Sequence, residues 1–440
     1  MNSIRLLLLG CGMVAATVYG VDVTAVTATP RWPWNGKVDI DVTLTGTTAG
    51  ESYVISPTLV LADGSEKPIS TLESEPLASG DGRHTLVWNA AADYPNMRMS
   101  NVAVKTTVAM FDGSQGVYLV FDLSAGKDAT SYPHRYTTMP PDLSSDVCRT
   151  TEFWMRRVPA GSFMMGNPSC VDDESTLSMN HLPYHQVKLT KDYYLGVFEV
   201  TQQQYFLMEG TWPSFFSGEE YRATRPLEQI SMQGFRGNNA QNGWYDDGTS
   251  VDANSPLNRL RVKTGYARFD LPTEAQWERA NRAGLQNKYN RPDMTDANAK
   301  KFGRNSSDVK VVTANVTPNT PPSDGGTAKV GSYPPNPWGF YDMGGNVHEL
   351  CGDGNHYANG TLPVFGDYAG APYIDPRGVS AECRERFGIG EKGAAGTTIR
   401  GGTWTSSYAA MTTYYRMAIA RSISGGSVNY TGLRLCITCE

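Results

Sequence analysis

The chain has 440 residues, of which 40% are hydrophobic and 19% are charged, with 45 glycines and 26 prolines. This length is too great for one compact core and predicts two or three domains. The composition excludes a coiled coil, a disordered acidic chain and a protein with many membrane spans. The net charge is −6 and no basic stripe occurs, which argues against nucleic-acid binding.

Residues 1–20 are typical of an export signal. Arg5 precedes an uncharged run, residues 6–18, which is shorter than the roughly 20 residues that a membrane-spanning helix needs. Two forms stay open: a signal cleaved near residues 18–20, or a lipoprotein signal in which a lipid on Cys11 anchors the protein to a membrane. Either form predicts an exported protein that is secreted, periplasmic or on the cell surface.

Export would place the cysteines beyond Cys11 in an oxidising compartment, where disulfides persist. Cys436 and Cys439 form a CxxC pair, for which disulfides are favoured over a zinc site because no second such pair accompanies it. The sequence therefore predicts disulfides without fixing their connectivity. The remaining candidates are Cys148, Cys170, Cys351 and Cys383.

Residues 21–125 predict an N-terminal β-sandwich of the immunoglobulin-like type, with a binding or spacer role. Residues 38–44 and 102–108 alternate apolar and polar side chains, and Gly- and Asp-rich turns separate the predicted strands. The run at 117–123 closes the series. Residues 126–150 then have the Pro, Ser and Thr composition of a linker.

Residues 151–440 have a different composition, rich in Trp and Tyr, with long loops of Gly and Asn. One helix is predicted over 272–280, where Thr273 and Gln276 have the spacing of a capping box. A second is predicted over 200–208, with Thr201 and Gln204 in the same relation.

Several segments of this second region resemble, in order, the formylglycine-generating enzyme or sulfatase-modifying factor family. The resemblance covers about 290 residues. It implies a C-terminal α+β domain with the family's C-type-lectin-like fold and much irregular structure. The matching segments are residues 158–166, 194–201, 271–278, 338–349, 400–404 and 432–435.

The family's enzymes convert a cysteine of a sulfatase to formylglycine, using oxygen and copper held by two cysteines. Counted from Gly402, those two cysteine positions fall on Ser406 and Met411, and no cysteine occurs between Cys383 and Cys436. A serine and a methionine do not make the dithiolate site that Cu(I) prefers. We therefore expect that copper is not bound and that cysteine oxidation is lost.

The resemblance also implies a calcium site. The family's calcium-binding stretch falls on Asp342, Gly345, Val347 and Glu349, which offer two carboxylates and main-chain carbonyls around a Gly-Gly turn. Asp324 lies near the family's second cation site, but the spacing is too short to assign it.

Three functions remain open for this domain. The favoured one is a calcium-stabilised binding module for a protein, peptide or glycan. The second is an enzyme of different chemistry in the same cleft, using His348, Asp353 or His356. The third is an active oxidoreductase of the family. The predicted cleft residues are Thr403, His348 and Tyr408, and the hydroxyl and aromatic residues that favour binding are Ser406, Ser407, Tyr408, Thr412, Thr413, Tyr414 and Tyr415.

Two histidine positions have both a chemical and a structural interpretation. His348 stands where the family usually has Trp, and it is either a metal ligand or base, or a packed side chain that bonds a backbone carbonyl. The packed interpretation is favoured. His181 and His185 have metal-like helical spacing, but Pro183 between them favours a loop before a strand.

Overall fold

The computed structural model describes residues 21–96, 102–168, 184–237, 251–307, 316–356, 372–376, 395–420 and 428–440. The predicted export signal with Cys11, and also Cys170, His181 and Cys383, lie outside these residues. The protein is rich in β-strands, arranged in several sheets, with few helices among the described residues. It divides into two compact units, the first formed by residues up to 120 with 134–141, the second by 121–133 with 142–440.

The first unit consists almost entirely of strands, and the last two residues of β8 belong to the second unit. The elements between residues 22 and 137 are β1 (Asp22–Pro30), β2 (Lys37–Thr45), β3 (Tyr53–Val60), β4 (Glu66–Pro68), β5 (Leu77–Ala78), β6 (Gly82–Asn89), α1 (Ala90–Asp93), β7 (Ala103–Met110), β8 (Tyr118–Asp122) and β9 (His134–Thr137).

Alternating side chains build the core of this unit. In β2, Val38, Ile40, Val42 and Leu44 are buried while the residues between them are mostly less so, as the predicted strand requires. β1, β2 and β6 form one antiparallel sheet. β3 pairs antiparallel with β4, β5 and β7 in another. Residues of both sheets share one hydrophobic cluster, so the first unit has its own core.

The segment predicted as a linker, residues 126–150, contains regular structure. It includes β9 and a short helix, α2 (Val147–Thr150), and both Cys148 and Arg149 are buried. The Arg149 guanidinium donates to the carbonyl of Val330, 2.9 Å away. Contacts with distant residues therefore order the end of this segment, although its local composition is that of a linker.

The second unit continues with short strands and short helices joined by long loops. Short 3₁₀ turns occur at Arg222–Thr224, Ala299–Lys301 and Tyr408–Met411. The elements after α2 are β10 (Glu152–Val158), β11 (Gly161–Met165), β12 (His185–Leu189), β13 (Tyr193–Gly196), α3 (Gln202–Glu209), α4 (Met232–Arg236), α5 (Pro256–Thr264), β14 (Phe269–Asp270), α6 (Glu274–Arg282), β15 (His348–His356), β16 (Tyr373–Ile374), β17 (Ala395–Arg400), β18 (Arg416–Ala420), β19 (Thr431–Leu433) and β20 (Cys436–Thr438).

Both predicted capping boxes are confirmed. The Thr273 hydroxyl accepts from the Gln276 N–H at 3.1 Å, and the Gln276 side-chain oxygen Oε1 accepts from the Thr273 N–H at 2.9 Å. Thr201 and Gln204 make the same pair of bonds at the start of α3, at 3.2 and 2.9 Å. These reciprocal bonds satisfy orphan amides and fix where each helix begins.

Pairing in the sheet of β18, β17, β15 and β19 positions the candidate site. β19 runs parallel to the start of β15, with Gly432 opposite Glu349. β17 pairs antiparallel with the same strand, with Arg400 opposite Glu349. β19 and the last two residues of β17, 399–400, thus meet at the first residues of β15.

The disulfide prediction is wrong for three cysteines. Cys148, Cys351 and Cys436 are free thiols, each buried in the fold. They have other neighbours: the Cys148 thiol donates to the carbonyl of Asp142 at 3.5 Å, and the Cys436 thiol donates to the Gln276 side-chain oxygen at 3.6 Å. Cys351 lies in the same hydrophobic cluster as Cys436.

Within the described residues, no helix has the length and apolar character needed to cross a membrane.

Candidate functional site

The predicted calcium loop is a turn with unusual backbone geometry. Asp342, Gly345 and Asn346 all have positive φ angles, of 54°, 92° and 62°. A Cβ atom at Gly345 would lie 2.2 Å from the carbonyl oxygen of Arg304, so only glycine fits there. β15 begins directly after the turn, and its second residue, Glu349, lies in the interior.

Glu349 is fully buried and forms an ion pair with Arg434. The Arg434 guanidinium donates to both carboxylate oxygens, from Nη2 at 2.7 Å and from Nε at 2.9 Å. The Trp277 indole N–H also donates to Glu349, at 2.6 Å. Arg434 further donates to the carbonyls of Gly196 and Tyr341, each at 2.8 Å, so that one buried side chain joins three segments.

Two more buried carboxyl groups face this ion pair. Asp342 accepts from the Gly331 N–H, and Glu199 accepts from the Val347 N–H at 3.1 Å and the Asn346 side chain at 2.6 Å. Burial raises the pKa of Asp342 to about 6, and the nearby Glu349 carboxylate adds to that rise. Burial, followed by the charges of Asp342 and Glu349, raises the pKa of Glu199 well above its usual value. Three buried carboxyl groups thus lie near the Arg434 guanidinium, and their crowding favours the protonated form of Glu199.

The donor set partly fits a calcium ion. Asp342 Oδ1 is buried and has no hydrogen-bond partner among the described residues, which makes it an available oxygen ligand. Glu349 is instead held by Arg434. No three His, Cys, Asp or Glu side chains converge as metal ligands in the described part of the chain. A cation here would therefore rest on Asp342 and on main-chain carbonyls such as those of Gly345 and Val347.

The loop near Asp324 is held by a side chain of the protein itself. Asp324 is exposed and accepts from the adjacent Ser323 hydroxyl at 2.9 Å. The Arg304 guanidinium donates to the carbonyls of Gly326, at 2.9 Å, and Pro322, at 2.7 Å. A buried guanidinium thus satisfies the carbonyl oxygens on both sides of Asp324.

Ser406 and Met411, the positions that the resemblance assigns to the family's copper-binding cysteines, have no thiol and make other contacts. The Ser406 hydroxyl accepts from the Thr403 N–H at 3.1 Å and lies 2.9 Å from the Thr403 hydroxyl. Met411 is buried in a cluster with Tyr289, Met294 and Ala299. Its sulfur lies 3.4 Å from the Asn305 side-chain nitrogen, which donates to it. One position is a hydroxyl network and the other is a packed thioether.

His348 is buried, as the packed interpretation predicts. Its Nδ1 atom lies 3.4 Å from the carbonyl oxygen of Arg400, and its ring is parallel to that of Tyr415, with centroids 6.4 Å apart. Burial lowers the pKa of His348 to about 4, so the ring is neutral at physiological pH. Its neutral, enclosed ring has the role of a core side chain.

Among the other residues of the alternative enzyme, Asp353 has its described hydrogen bond to another partner than His348. Asp353 is buried and accepts from the Glu274 N–H, and burial raises the pKa of Asp353 to about 7. The side chain of His356 lies outside the described residues. His185 is the first residue of β12, although it was predicted to end the loop before that strand, and its ring packs edge-on against Tyr373 at 5.8 Å.

A small exposed surface lies beside Ser406. Ser407 and Tyr408 are exposed, Tyr408 to 38%, and the Ser306 N–H donates to the carbonyl of Ser406 at 2.9 Å. Thr412, Thr413 and Tyr414, which were also expected to face a ligand, are buried. In the predicted binding segment, residues 407–409 are thus exposed and Thr405, Ser406 and Tyr415 are half-buried, and the neighbouring Ser306 is exposed.

Sequence reasoning did not assign Glu199, Arg434 or Ser306 to the site. Glu199 and Arg434 lie within segments that carry the family resemblance, which was the available signal for them. Ser306 follows a loop without a recognised motif, and only the fold brings it to Ser406.

A family model and several known proteins match parts of this chain. The family model described as "Sulfatase-modifying factor enzyme 1-like domain" matches residues 141–439. The chain is 27% identical over 223 residues to "Chaperone protein LppX" of Paenibacillus barcinonensis, covering 44% of this chain and 69% of that protein. A 94-residue stretch is 38% identical to "Serine/threonine-protein kinase pkn1" of Chlamydia caviae. That match covers 20% of this chain and only 12% of the kinase's own length.

Solved structures that partly resemble this chain include "Treponema denticola variable protein 1", with a TM-score of 0.44 and 23% identity over 66% of this chain and 96% of that one. "PvdO from Pseudomonas aeruginosa" has a TM-score of 0.42 and 23% identity over 65% of this chain and 94% of that one.

Proposed function

The chain belongs to the sulfatase-modifying factor family through residues 141–439, and we propose that its family domain has lost copper-dependent cysteine oxidation and acts as a calcium-stabilised binding module. The observation that carries this proposal is the chemistry at Ser406 and Met411. The Ser406 hydroxyl is engaged with Thr403, and the Met411 thioether is packed in a hydrophobic cluster. Cu(I) prefers soft thiolate ligands, which neither residue supplies.

Other described thiols are poor substitutes for the missing pair. Cys351 and Cys436 are buried in the hydrophobic core, and burial raises the pKa of each thiol well above its usual value. The thiolate is the form that binds a metal, so both remain weak ligands near neutral pH. This supports the loss of the oxidase reaction.

Residues 405–409 with Ser306 are the proposed ligand surface. Tyr408 supplies rigid aromatic area, and Thr405, Ser407 and Ser306 supply adaptable hydroxyl groups, a combination typical of binding surfaces. The ligand we propose is a protein, peptide or glycan. We also propose export through residues 1–20, by a cleaved signal or by lipidation of Cys11, and an immunoglobulin-like sandwich for the first unit.

Restoring the thiols should restore copper binding. We expect the double variant Ser406→Cys/Met411→Cys to withdraw Cu(I) from the chromophoric chelator bicinchoninate with at least tenfold higher affinity than the parent protein. Two thiolates are needed, so the single variant Ser406→Cys, the matched control, should gain much less. A parent protein that binds Cu(I) as tightly as the double variant would contradict the proposal.

Calcium should raise the melting temperature through Asp342. A ligand at about 100 times its dissociation constant stabilises the folded state by about 2.7 kcal/mol. We therefore expect a higher melting temperature in millimolar calcium than in EGTA, and we expect this difference to disappear in Asp342→Ala. Asp324→Ala, which changes an exposed carboxylate, is the control and should keep the difference. Equal melting temperatures of the parent protein in calcium and EGTA would refute the calcium part of the proposal.

A further inference from the structure

Two tryptophans of the first unit are exposed on one loop. Trp32 is 92% exposed and Trp34 is 47% exposed. The other described tryptophans behave differently: Trp212 stacks between Phe206 and Arg222, and the rest are buried, namely Trp88, Trp154, Trp277, Trp338 and Trp404. Large aromatic side chains are normally covered, so two exposed indoles on one loop indicate a contact surface.

The loop that carries them is anchored at its base. The Arg31 N–H donates to the carbonyl of Lys37 at 3.0 Å and closes the loop between β1 and β2. The carbonyl of Gly36 accepts from the Ala91 N–H at 3.0 Å, and a Cβ atom at position 36 would lie 2.6 Å from the Ala91 Cβ. The base is thus fixed against α1 while the indoles at the tip face solvent.

Charges around the loop are paired. Arg31 forms an ion pair with Asp39 at 2.8 Å, and Lys37 forms one with Glu73 at 2.6 Å. An anionic membrane or a nucleic acid would be attracted by an excess of Lys and Arg, which this loop lacks. The surroundings therefore favour an uncharged ligand.

The apolar area also limits the size of the ligand. Two indoles bury roughly 300–500 Å² when covered, since each buries about 150–250 Å². A stable protein interface needs about 800 Å² on each partner. Met139 is the other large exposed hydrophobic side chain in the described part of the first unit. The surface is thus better matched to a small ligand or a single polymer strand than to a folded protein.

Polar side chains lie within the loop and at its base. Asn35 is exposed, and its side-chain oxygen accepts from the Lys37 N–H at 3.2 Å. The Asn89 amide donates to Glu73 at 3.3 Å. Exposed aromatic faces with the neutral Asn35 amide on the same loop complement a sugar ring, which has an apolar C–H face and a rim of hydroxyls. We propose that the loop of residues 31–37 binds a neutral carbohydrate through Trp32 and Trp34.

Native electrophoresis through gels that contain a neutral polysaccharide tests this site. The probes are hydroxyethyl cellulose, laminarin, glycol chitin and pullulan, each used separately with the purified protein. We expect at least one of them to reduce the mobility of the protein at least twofold. The double variant Trp32→Ala/Trp34→Ala should lose that retardation, whereas Trp32→Phe/Trp34→Phe, which keeps aromatic faces, should retain part of it. Met139→Ala, another exposed apolar position in this unit, should behave like the parent.

Circular dichroism of each variant checks that the fold is intact. Absence of retardation by all four polysaccharides would overturn the proposal, as would retardation that survives the double alanine change. Sedimentation with vesicles of equal parts phosphatidylcholine and phosphatidylglycerol serves as the alternative assay. Binding to vesicles that depends on Trp32 and Trp34, without polysaccharide retardation, would assign the loop to a membrane surface instead.

Discussion

Replacing Arg434 with methionine is expected to lower the free energy of unfolding by about 3–5 kcal/mol, because the change leaves the Glu349 carboxylate buried without its partner. Both side chains are fully buried. Arg434 also donates to the carbonyls of Gly196 and Tyr341, which would lose these bonds. Urea unfolding followed by tryptophan fluorescence measures the change.

Two further variants separate the ion pair from general damage. Lys329→Ala removes a half-exposed pair with Asp146 and should cost less than about 1 kcal/mol. Combining Arg434→Met with Glu349→Gln removes both buried charges and should recover part of the lost stability, since the largest cost is the unpaired charge. If Arg434→Met alone lowered the free energy of unfolding by less than about 1 kcal/mol, the result would contradict a buried Glu349 carboxylate that depends on Arg434.

Glu278 is expected to contribute as much to the free energy of unfolding, because it forms ion pairs with two buried arginines. It accepts from Arg282 Nε at 2.8 Å, from Arg400 Nη2 and from the Gly166 N–H at 2.8 Å. Glu278→Gln would leave the Arg282 guanidinium without its paired carboxylate and would leave Arg400 with the more distant Glu274 carboxylate, 3.6 Å away. We expect a loss of about 3–5 kcal/mol at neutral pH. The acid-to-amide control is Asp293→Asn, at an exposed pair with Arg291, which should cost less than about 1 kcal/mol.

The stability lost in Glu278→Gln should depend on pH. Burial favours a higher pKa for Glu278, but the charges of Arg282 and Arg400 outweigh it and lower the pKa overall. A carboxyl whose pKa is lower in the folded state stabilises the protein above its unfolded value, about 4.3, and that contribution is lost as the pH falls through the folded pKa. The gap in stability between the parent and Glu278→Gln should therefore narrow in acid. A gap that widens below pH 4 would contradict the assignment.

Local features of the fold could be predicted from the sequence. The capping boxes of Thr273 with Gln276 and of Thr201 with Gln204 depend on residues three positions apart, and both helices begin where the pattern predicts. Alternation in residues 38–44 predicted β2 for the same reason. The order of the family segments predicted membership of the family, which the match over residues 141–439 confirms.

The charged interior could not be predicted, because it depends on residues far apart in the chain. Arg434 is 85 residues from Glu349, and Arg400 is 122 residues from Glu278. From the sequence alone, where no partner is apparent, each arginine is predicted to lie on the surface, since charged side chains are almost never buried without a partner. The pairing of β15 with β19 brings Arg434 to Glu349, and the packing of α6 against β17 brings Glu278 to Arg400.

Dependence on contacts between distant residues also explains why the disulfide prediction was wrong and why the predicted linker contains regular structure. Cysteine spacing gave no distance between thiols, and the fold places Cys148 and Cys436 against hydrogen-bond acceptors. Residues 126–150 have the composition of a linker, but Arg149 reaches the carbonyl of Val330, 181 residues away. Local composition carries no information about such a contact.

The most direct test of the central claim uses the purified protein and a sulfatase-type peptide that contains the target cysteine. The peptide is incubated with the protein, Cu(I), a reductant and oxygen, and mass spectrometry follows conversion of the cysteine to formylglycine. Since Ser406 and Met411 replace the two thiolates, we predict no conversion above a control without protein. Conversion well above that control would mean that other residues hold the copper, and it would contradict the proposed loss of the oxidase reaction.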